Sequence, residues 1–237
     1  MFICIITEKN GGSCDKTVKR FVEAYIGEYA SGKSENAINR SLELLAQSRK
    51  VTLVDLDTVE PFYTLRPLKK ELETKGLNVI AWAPEEVMGL GEAGSLVNQE
   101  MLWALRNPGD IILDIGYGVH GAKIFNLLEG ADTDPDFTVI AVVNITRPVT
   151  GSVDDIVDYI RELGHVDGLV NNTHLGDETT LEIIEEGAEM IGQAADILEL
   201  PILYTAVTEE LAAKFSETDK QGNPVKVIKR FMPQAFW

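Results

Sequence analysis

The chain has 237 residues, 45% hydrophobic and 25% charged, which suits one domain with a full core and leaves little length for a second. Asp and Glu (38) outnumber Lys and Arg (21) for a formal charge of -17, which argues against a general nucleic-acid or anionic-membrane surface, because neutralising phosphates needs surplus basic groups. No apolar run approaches the roughly 18 residues that span a bilayer, and the start Met-Phe-Ile-Cys-Ile-Ile-Thr lacks the basic region of a signal peptide, so a cytoplasmic protein without a membrane segment is expected.

Residues 1–7 read as a short buried strand followed by the turn-like Asn10-Gly11-Gly12-Ser13. The segment 1–15 is either an extra strand beside the next one or an appendage with Cys4 and Cys14 facing each other across a hairpin. These are the only cysteines, their spacing is not C-x-x-C, and two reduced thiols are expected rather than a metal site. Residues 20–26 alternate as a strand, and 35–45 repeat apolar residues at helical spacing. Between them lies Gly27-Glu28-Tyr29-Ala30-Ser31-Gly32-Lys33-Ser34, which fits G-x-x-x-x-G-K-[ST] at every fixed position.

That pattern has a mechanism. The glycines let backbone N–H groups face a polyphosphate, Lys33 reaches the terminal phosphates, and the Ser34 hydroxyl can ligate Mg²⁺. The helix that follows adds the partial positive charge of its N-terminus. Residues 27–35, Glu35 included, are therefore the candidate phosphate-binding set.

The apolar run 50–57 ends in Asp55 and Asp57 and predicts a buried parallel strand. A helix over 68–75 stopped by Gly76, a strand over 77–83, a glycine-rich passage 88–94 and a helix over 95–106 follow. Asp110-Ile111-Ile112-Leu113-Asp114 is again an apolar strand ending in an acid, with Gly116 and Gly118 behind it. Beyond it the pattern predicts helices over 119–128, 151–163, 179–198 and 209–215, and strands over 137–144, 167–171, 201–206 and 225–231. This alternation indicates a mostly parallel sheet covered on both faces, a three-layer α/β sandwich forming one domain over 1–237. In such sheets ligands bind beyond the C-terminal strand ends, where the loop, Asp55, Asp57, Asp114, Asn144 and Asn171 would collect.

Asp114 has the placement of a carboxylate that orients Mg²⁺ or its water, Asp57 could orient an attacking water, and Asp55 is better placed to support the metal or the loop. His120, His165 and His174 show no ligand spacing, so surface or capping roles are expected.

The order Gly27 to Ser34, then Val54-Asp55-Leu56-Asp57, Leu113-Asp114-Ile115-Gly116 and Leu169-Val170-Asn171-Asn172 resembles the MinD, ParA and nitrogenase-iron-protein class of P-loop nucleotide-binding proteins, CooC-type ATPases included. The resemblance implies seven or eight mostly parallel strands and ATP with Mg²⁺ at the loop. It implies Asp57 orienting the hydrolytic water, Asp114 supporting Mg²⁺ from behind its water, and Asn171 contacting adenine. It also implies a nucleotide-dependent homodimer, but MinD-like members carry a second lysine after the first loop glycine where this chain has Glu28, which cannot stabilise a partner's γ-phosphate. The segment 58–67, with Tyr63 and Arg66, falls where the class has a mobile switch. The leading expectation is an Mg²⁺-dependent ATPase that switches a protein partner. A kinase or ligase acting on a small acceptor, and a binding module with little turnover, are the alternatives. ATP is expected over GTP because Asn171-Asn172-Thr173-His174 lacks the Lys and Asp of an Asn-Lys-x-Asp box.

Overall fold

The computed structural model describes residues 19–57, 65–82 and 97–232. The readings of 1–15, of both cysteines, of the passage 88–94 and of most of the switch segment lie outside them. Eight strands form one sheet: β1 (Val22–Gly27), β2 (Val51–Leu56), β3 (Asn78–Ile80), β4 (Asp110–Ile115), β5 (Phe137–Val143), β6 (Gly168–Asn171), β7 (Ile202–Thr208) and β8 (Val225–Ile228). Their order is β3-β2-β4-β1-β5-β6-β7-β8, and every pairing is parallel.

The central strands are long runs of Val, Ile and Leu because they are buried on both sides. Alternate residues serve opposite cores. Ile111, Leu113 and Ile115 of β4 pack with Val54 and Leu56 of β2 in one core, whereas Ile112 joins Val51 and Leu53 in the other. The second core is closed by α1 (Lys33–Ala46), through Ala37, Ile38 and Leu44, and by Leu72 of α2 (Lys69–Lys75). The first is closed by Met101 of α3 (Gln99–Leu102), Ala122 of α4 (Gly118–Ala122), Ile156 and Ile160 of α5 (Val153–Leu163), and Ile191 and Ala194 of α6 (Leu181–Leu198). Ser152 caps α5 by accepting from Asp155 N at 3.2 Å, so that helix starts two residues later than its pattern suggests. The expected helices 95–106, 119–128 and 209–215 are shorter; the first two pass into 3-10 turns at Ala104–Arg106 and Lys123–Leu127, and the third is α7 (Glu209–Ala212).

The chain leaves β1 through the loop and α1, then passes over β4 to reach β2. β4 therefore slots between β1 and β2, and its residue Asp114 pairs with Tyr25 on one side and Asp55 on the other. Among the described residues no helix is long and apolar enough to cross a membrane.

Candidate functional site

The loop between β1 and α1 depends on its two glycines. Gly27 has φ +149°, and a Cβ there would lie 2.4 Å from the Val142 carbonyl oxygen. Gly32 has φ +92° and precedes α1; a Cβ on it would lie 2.1 Å from Asn172 Nδ2. Within the loop, Ser31 N donates to Glu28 O at 3.2 Å and Lys33 Nζ donates to the same oxygen at 2.9 Å. Asn172 closes the loop from outside, its Nδ2 donating to Ser31 O at 2.7 Å. Tyr29 and Tyr117 meet edge to face with centroids 5.5 Å apart, tying the loop to the segment after β4.

Asp55, Asp57, Asp114 and Lys33 gather at the strand ends and are all buried. Asp55, expected near the metal, is committed elsewhere: Oδ2 accepts from Arg66 Nε at 3.1 Å and Oδ1 from Asp57 N at 3.0 Å. Arg66 also donates to Asp57 O at 3.0 Å, so this buried cation holds the two residues Asp55 and Asp57 together. Asp114 differs. It is fully buried, and neither carboxylate oxygen has a hydrogen bond of good geometry among the described residues. Burial raises its pKa well above the usual carboxylate range, and Asp55 and Asp57 add to the rise against the Ser34 hydroxyl and Lys33. Burial lowers the pKa of Lys33, opposed by Asp114, Asp57 and Glu28. The buried Ser31 hydroxyl is likewise without a partner among the described residues. A cation bound by Ser34 and a phosphate chain on the loop would answer these unmet groups, so the donors present fit both.

Beside the loop opens a cleft. Gly32, Lys33, Ser34 and Glu35 form one wall, and Asn172, Thr173 and His174 another. Asn171, expected at adenine, is fully buried instead: its Nδ2 donates to Thr205 Oγ1 and Ile184 O, each at 3.3 Å, and its Oδ1 accepts from Thr173 N. The residue after it turns into the cleft. Glu35 faces the chain's own backbone, accepting from Phe231 N and Met232 N at 2.8 Å, while Asn39 Oδ1 accepts from Lys229 N at 2.9 Å. Residues 229–232 are thereby clasped to α1, and Met232 lines the cleft.

Three solved structures share the fold. The signal recognition particle receptor FtsY from Elizabethkingia anophelis, in complex with GDP, superposes with a TM-score of 0.53 at 19% identity over 83% of this chain and 60% of that one. FtsY from Thermotoga maritima gives 0.51 at 16% identity over 93% and 68%. The signal recognition particle 54 kDa protein from Aeropyrum pernix, in complex with GDP, gives 0.51 at 18% identity over 81% and 42%. The fold is that of a P-loop NTPase. The chain spans only 60% and 42% of the Elizabethkingia and Aeropyrum proteins, and at these identities the P-loop likeness is one of fold. No protein-family model matches the sequence, and neither does any curated protein.

Proposed function

We propose that the chain binds ATP with Mg²⁺ at the Gly27–Ser34 loop and hydrolyses it as a nucleotide-driven switch acting on a protein partner, in the manner of the MinD, ParA and CooC-type proteins. One observation carries the reading. A fully buried carboxylate whose oxygens make no hydrogen bond of good geometry among the described residues, Asp114, sits beside Ser34 and Lys33 at the mouth of a loop with the phosphate-binding pattern. Such a group is expensive in a fold that does not use it.

Ser34 would ligate Mg²⁺ and Asp114 would hold its water, the ion supplying charge neutralisation for the terminal phosphates. Lys33 leaves Glu28 O to take a phosphate oxygen and, with the loop amides, neutralises charge developing on the γ-phosphate. Asp57 orients the water for in-line attack. Arg66 positions Asp57 by holding its carbonyl and the neighbouring Asp55. The only carboxylate among the described cleft residues is Glu35, spent on Phe231 and Met232, so no free carboxylate there would accept from N1 and N2 of guanine; this supports ATP over GTP.

Calorimetry with ATP, GTP and ADP, with and without Mg²⁺, tests the reading. Lys33→Ala should abolish nucleotide binding, and unchanged binding in that variant would reject the loop assignment. Phosphate release without an added acceptor separates hydrolysis from transfer to a small acceptor. Glu28 supplies a negative charge where MinD-like chains have their second lysine, which supports action in cis; sizing of the ATP-bound form tests this.

A further inference from the structure

We propose that His174 is a specificity-determining residue of the cleft, whose Nε2–H donates to an acceptor nitrogen on the edge of the bound purine. The inference rests on the nucleotide reading above and goes beyond it in naming the group that reads the base.

His174 belongs to the turn after β6 and lines the cleft together with the loop. Its backbone is held from both sides. Asn144 Nδ2 donates to His174 O at 3.0 Å, Thr146 Oγ1 donates to the same oxygen at 2.9 Å, and His174 N donates to Asn144 Oδ1 at 3.2 Å. Asn144 is itself fully buried at the end of β5, so the clamp belongs to the sheet rather than to a loose loop. The ring is fixed as well: its Nδ1 accepts from Gly176 N at 3.3 Å. In a neutral imidazole one nitrogen accepts and the other carries the proton, so the proton sits on Nε2. Burial, with Arg147 and Arg230 beside it, holds the ring's pKa down to about 4, so it is neutral at physiological pH.

Nε2 has no hydrogen-bond partner among the described residues. The result is an uncharged donor, rigidly placed, in a cleft whose other walls include Ile184, Val207 and Met232. Apolar side chains beside a directed donor suit the face and edge of an aromatic base, and of the cleft's other polar groups Arg230 is paired with Asp177 and Asn172 is tied to the loop. A phosphate would be better served by a cation, and Lys33 already supplies one. Because the donor is preorganised, little ordering cost is added when the hydrogen bond forms.

The test is calorimetry on the full chain with Mg²⁺ and ATP or its 1-deaza, 3-deaza and 7-deaza analogues, each lacking one ring acceptor. Wild type should bind one analogue roughly three- to tenfold more weakly than ATP, the size expected for one neutral hydrogen bond. His174→Phe should bind ATP and that analogue alike, and His174→Gln, which keeps a donor, should recover part of the difference. The proposal is overturned if wild type binds all three analogues as it binds ATP, or if the loss persists undiminished in His174→Phe. Should His174→Phe fail to melt cooperatively, the wild-type analogue series decides alone. A wild type that binds neither ATP nor GTP defeats the nucleotide reading itself, an outcome distinct from equal binding of all four ligands.

Discussion

Replacing Asp114 by Asn should make the ligand-free protein more stable while removing its response to Mg²⁺. Asp114 pairs in register with Asp55 on the neighbouring strand. Neighbouring strands lie about 4.8 Å apart, and two like charges at that distance repel by about 3.5 kcal/mol at an effective dielectric of about 20. The buried ion pair of Asp55 with Arg66 lessens this without removing it, since Asp55 still raises the pKa of Asp114. Beside it stands the cost of a buried charge without hydrogen bonds, on the order of 1–3 kcal/mol. An amide of the same shape avoids that cost. In a chain of this size each kcal/mol moves the melting point by about 2–4 °C, so the ligand-free variant should melt about 2–12 °C above wild type. The gap should also depend on pH. Because burial raises the folded-state pKa of Asp114, its carboxyl contributes stability that is full below the unfolded value, about 3.9, and lost as pH rises through the folded one. The two proteins should therefore melt together near pH 4 and diverge toward neutrality. Thermal melts with and without Mg²⁺ and ATP read both effects. A ligand-free variant that melts below wild type, or one that keeps the full Mg²⁺-dependent shift, would refute the reasoning.

Three further outcomes are expected. Asp57→Asn should bind ATP as wild type does yet release phosphate at least tenfold more slowly, the lower range for losing a positioned base; wild-type turnover would remove Asp57 from the mechanism. Gly32→Ala combines a left-handed backbone angle with a collision against Asn172 Nδ2, so it should lose roughly 1–3 kcal/mol in denaturant melts and weaken ATP binding; an unaffected protein would show that the loop relaxes freely. Since burial and the facing Arg147 and Arg230 keep the His174 ring neutral until about pH 4, ATP affinity should not fall through protonation of His174 between pH 8 and 5.5. A ring-proton titration centred near 6.5 by NMR would show an imidazole in open water.

Much of this architecture was legible because buried parallel strands declare themselves. The runs Leu53-Val54 in β2 and Ile111-Ile112-Leu113 in β4 are apolar at successive positions, and each is followed by an acid near the C-terminal end of its strand. The loop was legible because its glycines are required by backbone geometry at Gly27 and Gly32. Strand order was not, since β4 inserting between β1 and β2 is a pairing between residues far apart in sequence. The partner of Asp55 was hidden because Arg66 lies outside the apolar run that declares the strand, 11 residues further along. The expectation at Asn171 shows the limit of strand reading most sharply. Successive residues point to opposite faces, so a shift of one position separates an amide buried against Thr205 from one that closes the loop. His174 carried no metal spacing and was expected at the surface or as a cap; only Asn144 and Thr146, some 30 residues earlier, give its position meaning.

The clasp of residues 229–232 onto α1 has a mechanical consequence. Glu35, in the first turn of the helix that follows the phosphate loop, and Asn39, one turn on, transmit any load applied at Met232 directly to that helix. A fusion partner or docked protein pulling on that end would tug on the nucleotide's own seat, and a filled seat would in turn stiffen the handle.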